Sequence, residues 1–564
     1  MESGSIGSHS RLAGETPPRR SDTYQPPRRS GGMTVSDSSE TSRGTGGTGE
    51  ARKRPALPPG LLDLATTTGE EGTITIEEPM TGADLAEVPA CDGAAVDLAV
   101  ERAREAGAAW AERPAAERAE VAERFHDLML DRQGEVLDLL QLETGKARRH
   151  AYDEVLSVAG AARYYAVRAE RFLEPERRKG AFPGLTRTDV HHDPKGVVGL
   201  ISPWNYPFEL GVSDAIPALR AGNAVVCKPA EQTTHTALFG LHLLREAGLP
   251  EDVFQVVPGR GPDVGPPLIE GVDHVGFTGS TETGRTVAAQ AGEHLTPCSL
   301  ELGGKNPAIV RADADLKRTV RGLVRGCFDN AGQTCIAIER VYVHDDVYEE
   351  FVERFAARAA DVEPAATYDF GSRCGSLLSA DQLERVESHV EDARADGATV
   401  RCGGRARPDV GPYFYEPTVL TGVEEDMAVC CEETFGPVVS VHPVSDDDEA
   451  VERANDTEYG LNASVWTEDE ERGRELARRI EAGTVNVNDA YVAAYASVDA
   501  PMGGVKDSGI GRRHGPEGFY KYTEPKTVAT QRVDALGEPA VPFGDFTRVM
   551  AGVLKLWRRV PGLR

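Results

Sequence analysis

The chain has 564 residues, too many for one core, so two or three domains are expected. Its 91 acidic and 62 basic residues leave a net charge of −29, which argues against nucleic acid and anionic membranes as partners. Nine dispersed cysteines without a C-x-x-C exclude a disulfide framework and a zinc ribbon; no metal site is expected, and a reducing, cytoplasmic compartment is.

The charge has its own pattern. Of the basic residues 11 are Lys and 51 are Arg. A carboxylate-rich, Lys-poor surface is expected of a protein kept soluble in high salt. An ordinary acidic protein from a GC-rich genome is the alternative, because such genomes also favour Arg and Ala.

In chain order, residues 1–58 are rich in Ser, Gly, Pro and Arg and read as a disordered tail. Twin arginines occur there without a hydrophobic stretch behind them, so no secretion signal is expected. Met33, opening "MTVSDSSE", is a second candidate start. Residues 94–178 carry apolar side chains at helical spacing, with a second run over 132–173. The pattern then changes. "GVVGLISPWNYP", "GNAVVCKPAE", "DVFQVVPGRG" and "VDHVGFTGSTETG" each join a short apolar run to a turn, and helical stretches lie between them. That alternation predicts a parallel α/β sheet. The runs end in Asn205, in Lys228 with Glu231, in Gly259 and Gly261, and in Gly279 to Gly284. The carboxyl ends of parallel strands form a ligand crevice, so these four ends are expected to line one site. A second α/β pattern fills the chain from 304 to about 515. "LTRTDVHHDP" and "KYTEPKTVATQRV" alternate like exposed strands outside both patterns, free to pair with each other or with another subunit.

Individual segments are weak signals. "GFTGSTETG" offers backbone N–H groups and a helix dipole to an anion, and reads equally well as a tight turn. Lys228 is suited to ribose or phosphate; Glu231 would bind a ribose 2′-OH and repel a 2′-phosphate, which favours NAD slightly over NADP. Glu301 in a mostly apolar run is either paired or catalytic. Cys335 follows a Gly-Gln-Thr turn, and most cysteines are simply small buried hydrophobes.

Together, "PWNYP", "KPAEQT", "GFTGSTETG", "ELGGKNP", "GQTC", "EETFGPV" and "PMGGVKDSGIGR" resemble, in order, the motifs of the NAD(P)-dependent aldehyde dehydrogenase superfamily over about 70–532. The 34-residue separation of Glu301 and Cys335 is similar to that family's pattern. The resemblance implies an α/β fold with a Rossmann-type cofactor domain (59–178 and 197–303), an α/β catalytic domain (304–515) and a small β oligomerisation arm (179–196 and 516–533). Residues 534–564 are an extension, "FTRVMAGVLKLWRRVPGLR" being an amphipathic helix expected to pack on the body or between subunits, with weak membrane-surface contact as the alternative. The implied partners are a small aldehyde and further copies of the chain, as a dimer or tetramer.

The resemblance also implies roles. Cys335 is the nucleophile, Asn205 and the Cys335 N–H form the oxyanion hole, and Glu301 activates water. Lys228 and Glu433 resemble the ribose pair, Gly279 and Ser280 the pyrophosphate contacts, and Phe435 the nicotinamide neighbour; Trp204, Glu231 and Gly284 complete the cofactor set. Members that pass the acyl group to coenzyme A generally lack the Glu, so a free acid is the implied product. The segments look most like those of succinate-semialdehyde dehydrogenases, and the composition points to a haloarchaeal member; a broad-range aliphatic or aromatic aldehyde dehydrogenase is the alternative. Arg163, Arg168, Arg340 and Arg513 are the candidate anchors for a substrate carboxylate. A non-catalytic, cofactor-binding structural protein is the reading from another class.

Overall fold

The computed structural model describes residues 52–180, 186–532 and 542–559. The expectations for 1–51, including the Met33 start, lie outside the described residues. Residues 52–58 correct the expected tail boundary. Arg52 pairs with Asp138 and Arg54 with Glu78, both at 2.7 Å, and Leu57 packs against the core. Composition hides this because a few ion pairs to fixed partners anchor a segment that has no core of its own.

The hairpin β1 (Gly72–Glu78) and β2 (Ala83–Ala90) comes first and was not expected from the sequence. Helices Gly93–Ala111, Ala115–Asp131, Gln133–Thr144 and Arg148–Leu173 follow. Asp92 caps the first by accepting from Ala94 N–H; Pro114 separates it from the second; Gly145, at φ 70°, ends the third. Next come β3 (Glu176–Arg178) and β4 (Thr186–Pro194), then β5 (Val197–Ile201), β6 (Ala224–Lys228), β7 (Phe254–Val256), β8 (His274–Thr278) and β9 (Cys298–Glu301). The chain continues through β10 (Asn306–Val310), β11 (Ile338–His344), β12 (Thr399–Cys402), β13 (Thr418–Thr421), β14 (Val438–Val444), β15 (Asn462–Trp466) and β16 (Thr484–Val487), and closes with β17 (Gly509–Ile510) and β18 (Thr523–Gln531).

One sheet runs β17-β9-β8-β5-β6-β7, parallel except for β17. The four apolar runs of the sequence are four adjacent strands of it. Strands β5, β6 and β7 march outward, and the chain then returns to place β8 on the other side of β5. That reversal opens a crevice at the carboxyl ends of β5 and β8. The second sheet runs β12-β13-β14-β11-β10-β15-β16, parallel except for β12. Strands β4 and β18 pair antiparallel from Thr186↔Gln531 to Thr523↔Pro194, with β3 on the other side of β4. The two alternating segments therefore meet each other within one chain.

The C-terminal segment does form a helix, Phe543–Trp557. It has no buried residue, so the expected packing on the body is not seen; Phe543, Val549, Leu554 and Leu556 are exposed. Among the described residues no helix is long and apolar enough to cross a membrane.

Candidate active site

The approach to Cys335 is an unusual piece of backbone. After helix Leu316–Phe328, Asn330 and Ala331 both take φ 54° and Gly332 takes φ 73°. Three consecutive left-handed residues, two of them not glycine, are costly unless their surroundings enforce them. At Gly332 a Cβ would run into the Gly436 carbonyl. Gln333 clamps the turn: its Nε2 donates to the carbonyls of Asn330 and Ser376, and its Oε1 accepts from Leu378 N–H. Asn306 Nδ2 donates to the carbonyls of Cys335 (2.8 Å) and Ala337 (2.7 Å). The nucleophile candidate thus has a fixed main chain on both sides. Burial pushes its thiol up to about 12, and the carboxylates of Glu433 and Glu301 push the same way.

Asn205 lies in the turn after β5. Its Nδ2 donates to the Gln333 carbonyl at 3.1 Å, and its own carbonyl accepts from Asn330 Nδ2 and from Lys146 Nζ at 2.6 Å. Lys146 is fully buried and pairs with Glu154, whose second oxygen accepts from Phe208 and Glu209 N–H. This buried pair holds the Asn205 turn against the Cys335 turn. The sequence reading missed both residues, since each looks like one more charge in a helical stretch.

Glu301 is the last residue of β9, paired in register with Gly509 of β17. Burial raises its carboxyl to about 7, against the opposing pull of Arg513 and Lys521. Its Oε1 is buried without a hydrogen-bond partner, in a position where a Cβ on Gly503 would sit 3.0 Å away. A carboxylate oxygen left unpaired inside a protein is expensive unless a substrate or water needs it.

Two cavities meet at Cys335. The first is a polar crevice of about 440 Å³ at the β5–β8 switch, whose lining includes Trp204, Gly279, Ser280, Glu301, Glu433 and Phe435. Ser280 caps helix Thr281–Glu293, accepting from Thr283 N–H. The Trp204 and Phe435 rings meet edge to face at 5.6 Å. Glu433, raised to about 8 chiefly by burial, accepts from Gly304 N–H at 3.0 Å. A helix N-terminus, glycine backbone at Gly279 and Gly303, and a buried carboxylate together fit a dinucleotide: N–H groups for phosphate and a carboxylate for ribose hydroxyls. At Gly303 a Cβ would come within 2.5 Å of Glu433 Oε2, so the main chain can approach a ligand there as a side chain could not.

Three expected cofactor residues do not line this crevice. Lys228 ends β6 and pairs with Glu231 at 3.1 Å; the same Glu231 oxygen accepts from Gly261 N–H, so the β6 and β7 ends are tied to each other. Gly284 is buried beneath Leu302 as a close-packing position. Of the four strand ends expected at one site, β5 and β8 reach this crevice, and β9 joins them. Gln382, Arg385 and Tyr459 also line it and were not read from the sequence; Gln382 and Arg385 stand one turn apart on helix Ala380–Ala395.

The second cavity is a tunnel of about 280 Å³ on the other side of Cys335 and Asn205. Tyr206, Leu210, Ile336, Tyr491, Tyr495 and Met502 give it apolar walls. Of the four candidate arginines only Arg513 lines it, held by Glu209 (3.0 Å) and Asp214 (2.8 Å). Arg340 is buried elsewhere, donating to the carbonyls of Lys305 and Ala454, while Arg163 and Arg168 are exposed and line neither cavity. Arg325 was missed; it lines the tunnel, paired with Asp329 (2.9 Å) and Asp153 (3.4 Å).

The profile described as "Aldehyde dehydrogenase family" matches residues 66–528. A Mycolicibacterium smegmatis protein named "Putative succinate-semialdehyde dehydrogenase", NADP(+) type, is 51% identical over 488 residues, covering 86% of this chain and 94% of its own. A NAD+ complex of an aldehyde dehydrogenase from Bacillus cereus superposes with TM-score 0.78 at 38% identity, over 82% of this chain and 93% of its own. A NAD+ complex of betaine aldehyde dehydrogenase from Staphylococcus aureus gives TM-score 0.80 at 31% identity, over 84% and 95%.

Proposed function

The chain belongs to the aldehyde dehydrogenase family, and on that premise we propose that it oxidises succinic semialdehyde to the free carboxylic acid with NAD or NADP. The observation that carries the reading is that Cys335 and Asn205 line both the polar crevice and the apolar tunnel. An aldehyde entering by the tunnel reaches the thiol at the one place where the cofactor crevice also opens.

The residues then have distinct tasks. Cys335, whose buried thiol is raised to about 12 and must first give up its proton to a base, attacks the aldehyde carbon as thiolate, and the oxygen that gains the charge is held by the Asn205 amide and the Cys335 N–H. NAD(P) held in the crevice would supply the acceptor for the hydride that leaves the thiohemiacetal carbon, so that a thioester remains on Cys335. Glu301, buried and raised to about 7, takes a proton from water as that water attacks the thioester carbonyl. The C–S bond breaks, the acid leaves and the Cys335 thiolate is restored. Glu433 is assigned to ribose, Gly279 and Ser280 to the pyrophosphate, and Trp204 and Phe435 to the nicotinamide side; Lys228, tied to Glu231 outside the crevice lining, is given no cofactor contact.

The substrate rests on the names of the mycobacterial relatives. A specific observation favours the second reading, a broad-range aliphatic or aromatic aldehyde: both tunnel cations are already paired with carboxylates, and the walls are aromatic and aliphatic. An aldehyde panel decides. A preference in kcat/KM of about tenfold or more for succinic semialdehyde over propanal and benzaldehyde supports the first reading, and equal or better turnover of benzaldehyde replaces it with the second. Running the panel with both cofactors tests the NADP(+) of the relatives' names against the NAD preference expected from Glu231, which lies outside the crevice lining.

Three further properties belong to this reading. All nine cysteines are free thiols, which suits a reducing cytoplasm. Strand β18 is an edge strand with every residue after Thr523 exposed, so a partner subunit would cover it, giving a dimer or tetramer. The acidic, Lys-poor surface is salt-adapted, and thermal melts that rise steeply with KCl would bear that out; a salt-independent melt would remove it.

A further inference from the structure

A third cavity adjoins the tunnel on the far side of the Arg325–Asp153 pair. It is an open concavity of about 730 Å³, and six of its lining residues are arginines: Arg149, Arg318, Arg321, Arg325, Arg358 and Arg373. Arg318, Arg321 and Arg325 recur at helical spacing on one stripe of helix Leu316–Phe328. Arg149 comes from the start of helix Arg148–Leu173, Arg358 from helix Tyr348–Ala360, and Arg373 from the segment beyond it. Cations stacked along one stripe repel each other, and a chain with a net charge of −29 has carboxylates in excess to relieve them.

The carboxylates that line the same cavity, Asp153, Asp329 and Asp489, are already engaged. Asp329 is taken by His150 at 3.0 Å, by Arg325 and by the Tyr491 hydroxyl. Asp489 accepts from the N–H groups of Tyr491 and Ala493. Asp153 faces Arg325, and Arg358 has Asp361. Among the described residues, Arg149, Arg318, Arg321 and Arg373 have no carboxylate partner; Arg149 and Arg318 donate only to the carbonyls of Phe370 and Asn488. These four guanidinium groups are solvent-exposed, and their convergence without carboxylate partners on one concavity stands out in a protein with a net charge of −29.

We propose that this cavity is a binding site for a small multivalent oxyanion, a polycarboxylate or a phosphate ester, separate from the crevice and the tunnel. The planar guanidinium fork matches carboxylate and phosphate oxygens two at a time, and several forks on different elements select a ligand with several charges over a monovalent ion. The arginines come from three helices and one connecting segment, so an occupant would also tie those elements together.

The test is calorimetric titration of the full chain, saturated with NAD so that its pyrophosphate site is filled, at constant ionic strength. Citrate and pyrophosphate are the probes, with chloride as the control; whichever binds names the carboxylate or the phosphate source. Saturable binding by either, weakened about tenfold or more in the double variant Arg321→Gln/Arg373→Gln, is the expected result. If that variant fails to fold, Arg149→Gln/Arg318→Gln serves in its place. No binding beyond the chloride control, or undiminished binding by either folded double variant, overturns the proposal.

Discussion

The crevice and the tunnel share Cys335 and Asn205 and are otherwise built on opposite plans. The crevice is assembled from strand ends and glycine backbone, with side chains used sparingly: Ser280 as a helix cap, Glu433 against Gly304, Trp204 against Phe435. The tunnel is assembled from side chains contributed by helix Arg148–Leu173, the turn after β5 and the segment around Tyr491–Met502. A cofactor common to many enzymes needs backbone geometry, which tolerates little change. A substrate needs a shape, which side chains can vary without disturbing the sheet. Cys335 sits where the fixed plan meets the variable one, and its strained, clamped turn belongs to the fixed side.

Substitutions can separate the two plans. Cys335→Ser should lower kcat by at least about 10⁴-fold while leaving cofactor binding, followed by fluorescence titration, near wild type; lost binding would mean that the thiol turn also shapes the crevice. Glu301→Gln should lower steady-state turnover by about 10²–10⁴-fold and leave a fast first burst of reduced cofactor, because it acts after the thioester forms. Undiminished turnover would remove Glu301 from the reaction. Asn205→Ala should cost about 10²–10³-fold in kcat with little change in cofactor affinity. Lys146→Met leaves Glu154 buried and unpaired, and should cost about 3–5 kcal/mol of stability in denaturant melts, loosening the turn shared by both cavities.

The smallest effect is a pH dependence. The Glu301 carboxyl is raised in the folded chain from its ordinary 4.5 to about 7. Its proton therefore stabilises the folded state fully below about 4.5, and that contribution is lost as pH rises through about 7. Glu301→Gln should match wild-type stability near pH 4.5 and exceed it above pH 7, by about 1–3 kcal/mol. In the active enzyme the same ionisation should make turnover rise through about pH 7, and a flat profile across that range would contradict a Glu301 base.

Part of the crevice was legible in local pattern, while Trp204, Glu433 and Phe435 were reached only through the family resemblance. Apolar runs ending in Asn205 and in Gly279–Ser280 announce parallel strands with functional ends, and β5 and β8 have those ends. The hairpin β1–β2 was passed over because its strands are largely exposed and β2 contains Pro89, which reads as a break rather than a strand. Lys146 and Glu154 were invisible for a different reason. A buried ion pair looks, in sequence, the same as two surface charges on a helix, and only packing distinguishes them. The candidate arginines could not be told apart for the same reason: Arg340 and Arg513 both lie in suggestive segments, yet Arg340 donates to the carbonyls of Lys305 and Ala454 while Arg513 lines the tunnel beside Glu209.

By itself, the sequence determined the alternating α/β architecture, the order of the site motifs, the pairing of Glu301 with Cys335 as candidates, and an acidic, Arg-rich surface. The architecture and the charge are properties of local pattern and composition, carried by neighbouring residues; the Glu301–Cys335 pairing is what the family resemblance implies. Only the tertiary structure decided which cations face the tunnel, that those cations are already neutralised, that residues 52–58 lie on the body, and that four unpaired arginines converge beside the tunnel wall. Those are questions of charge and burial between residues far apart in the chain. Coulombic interactions and desolvation depend on distance through space, and a one-dimensional pattern does not contain that distance.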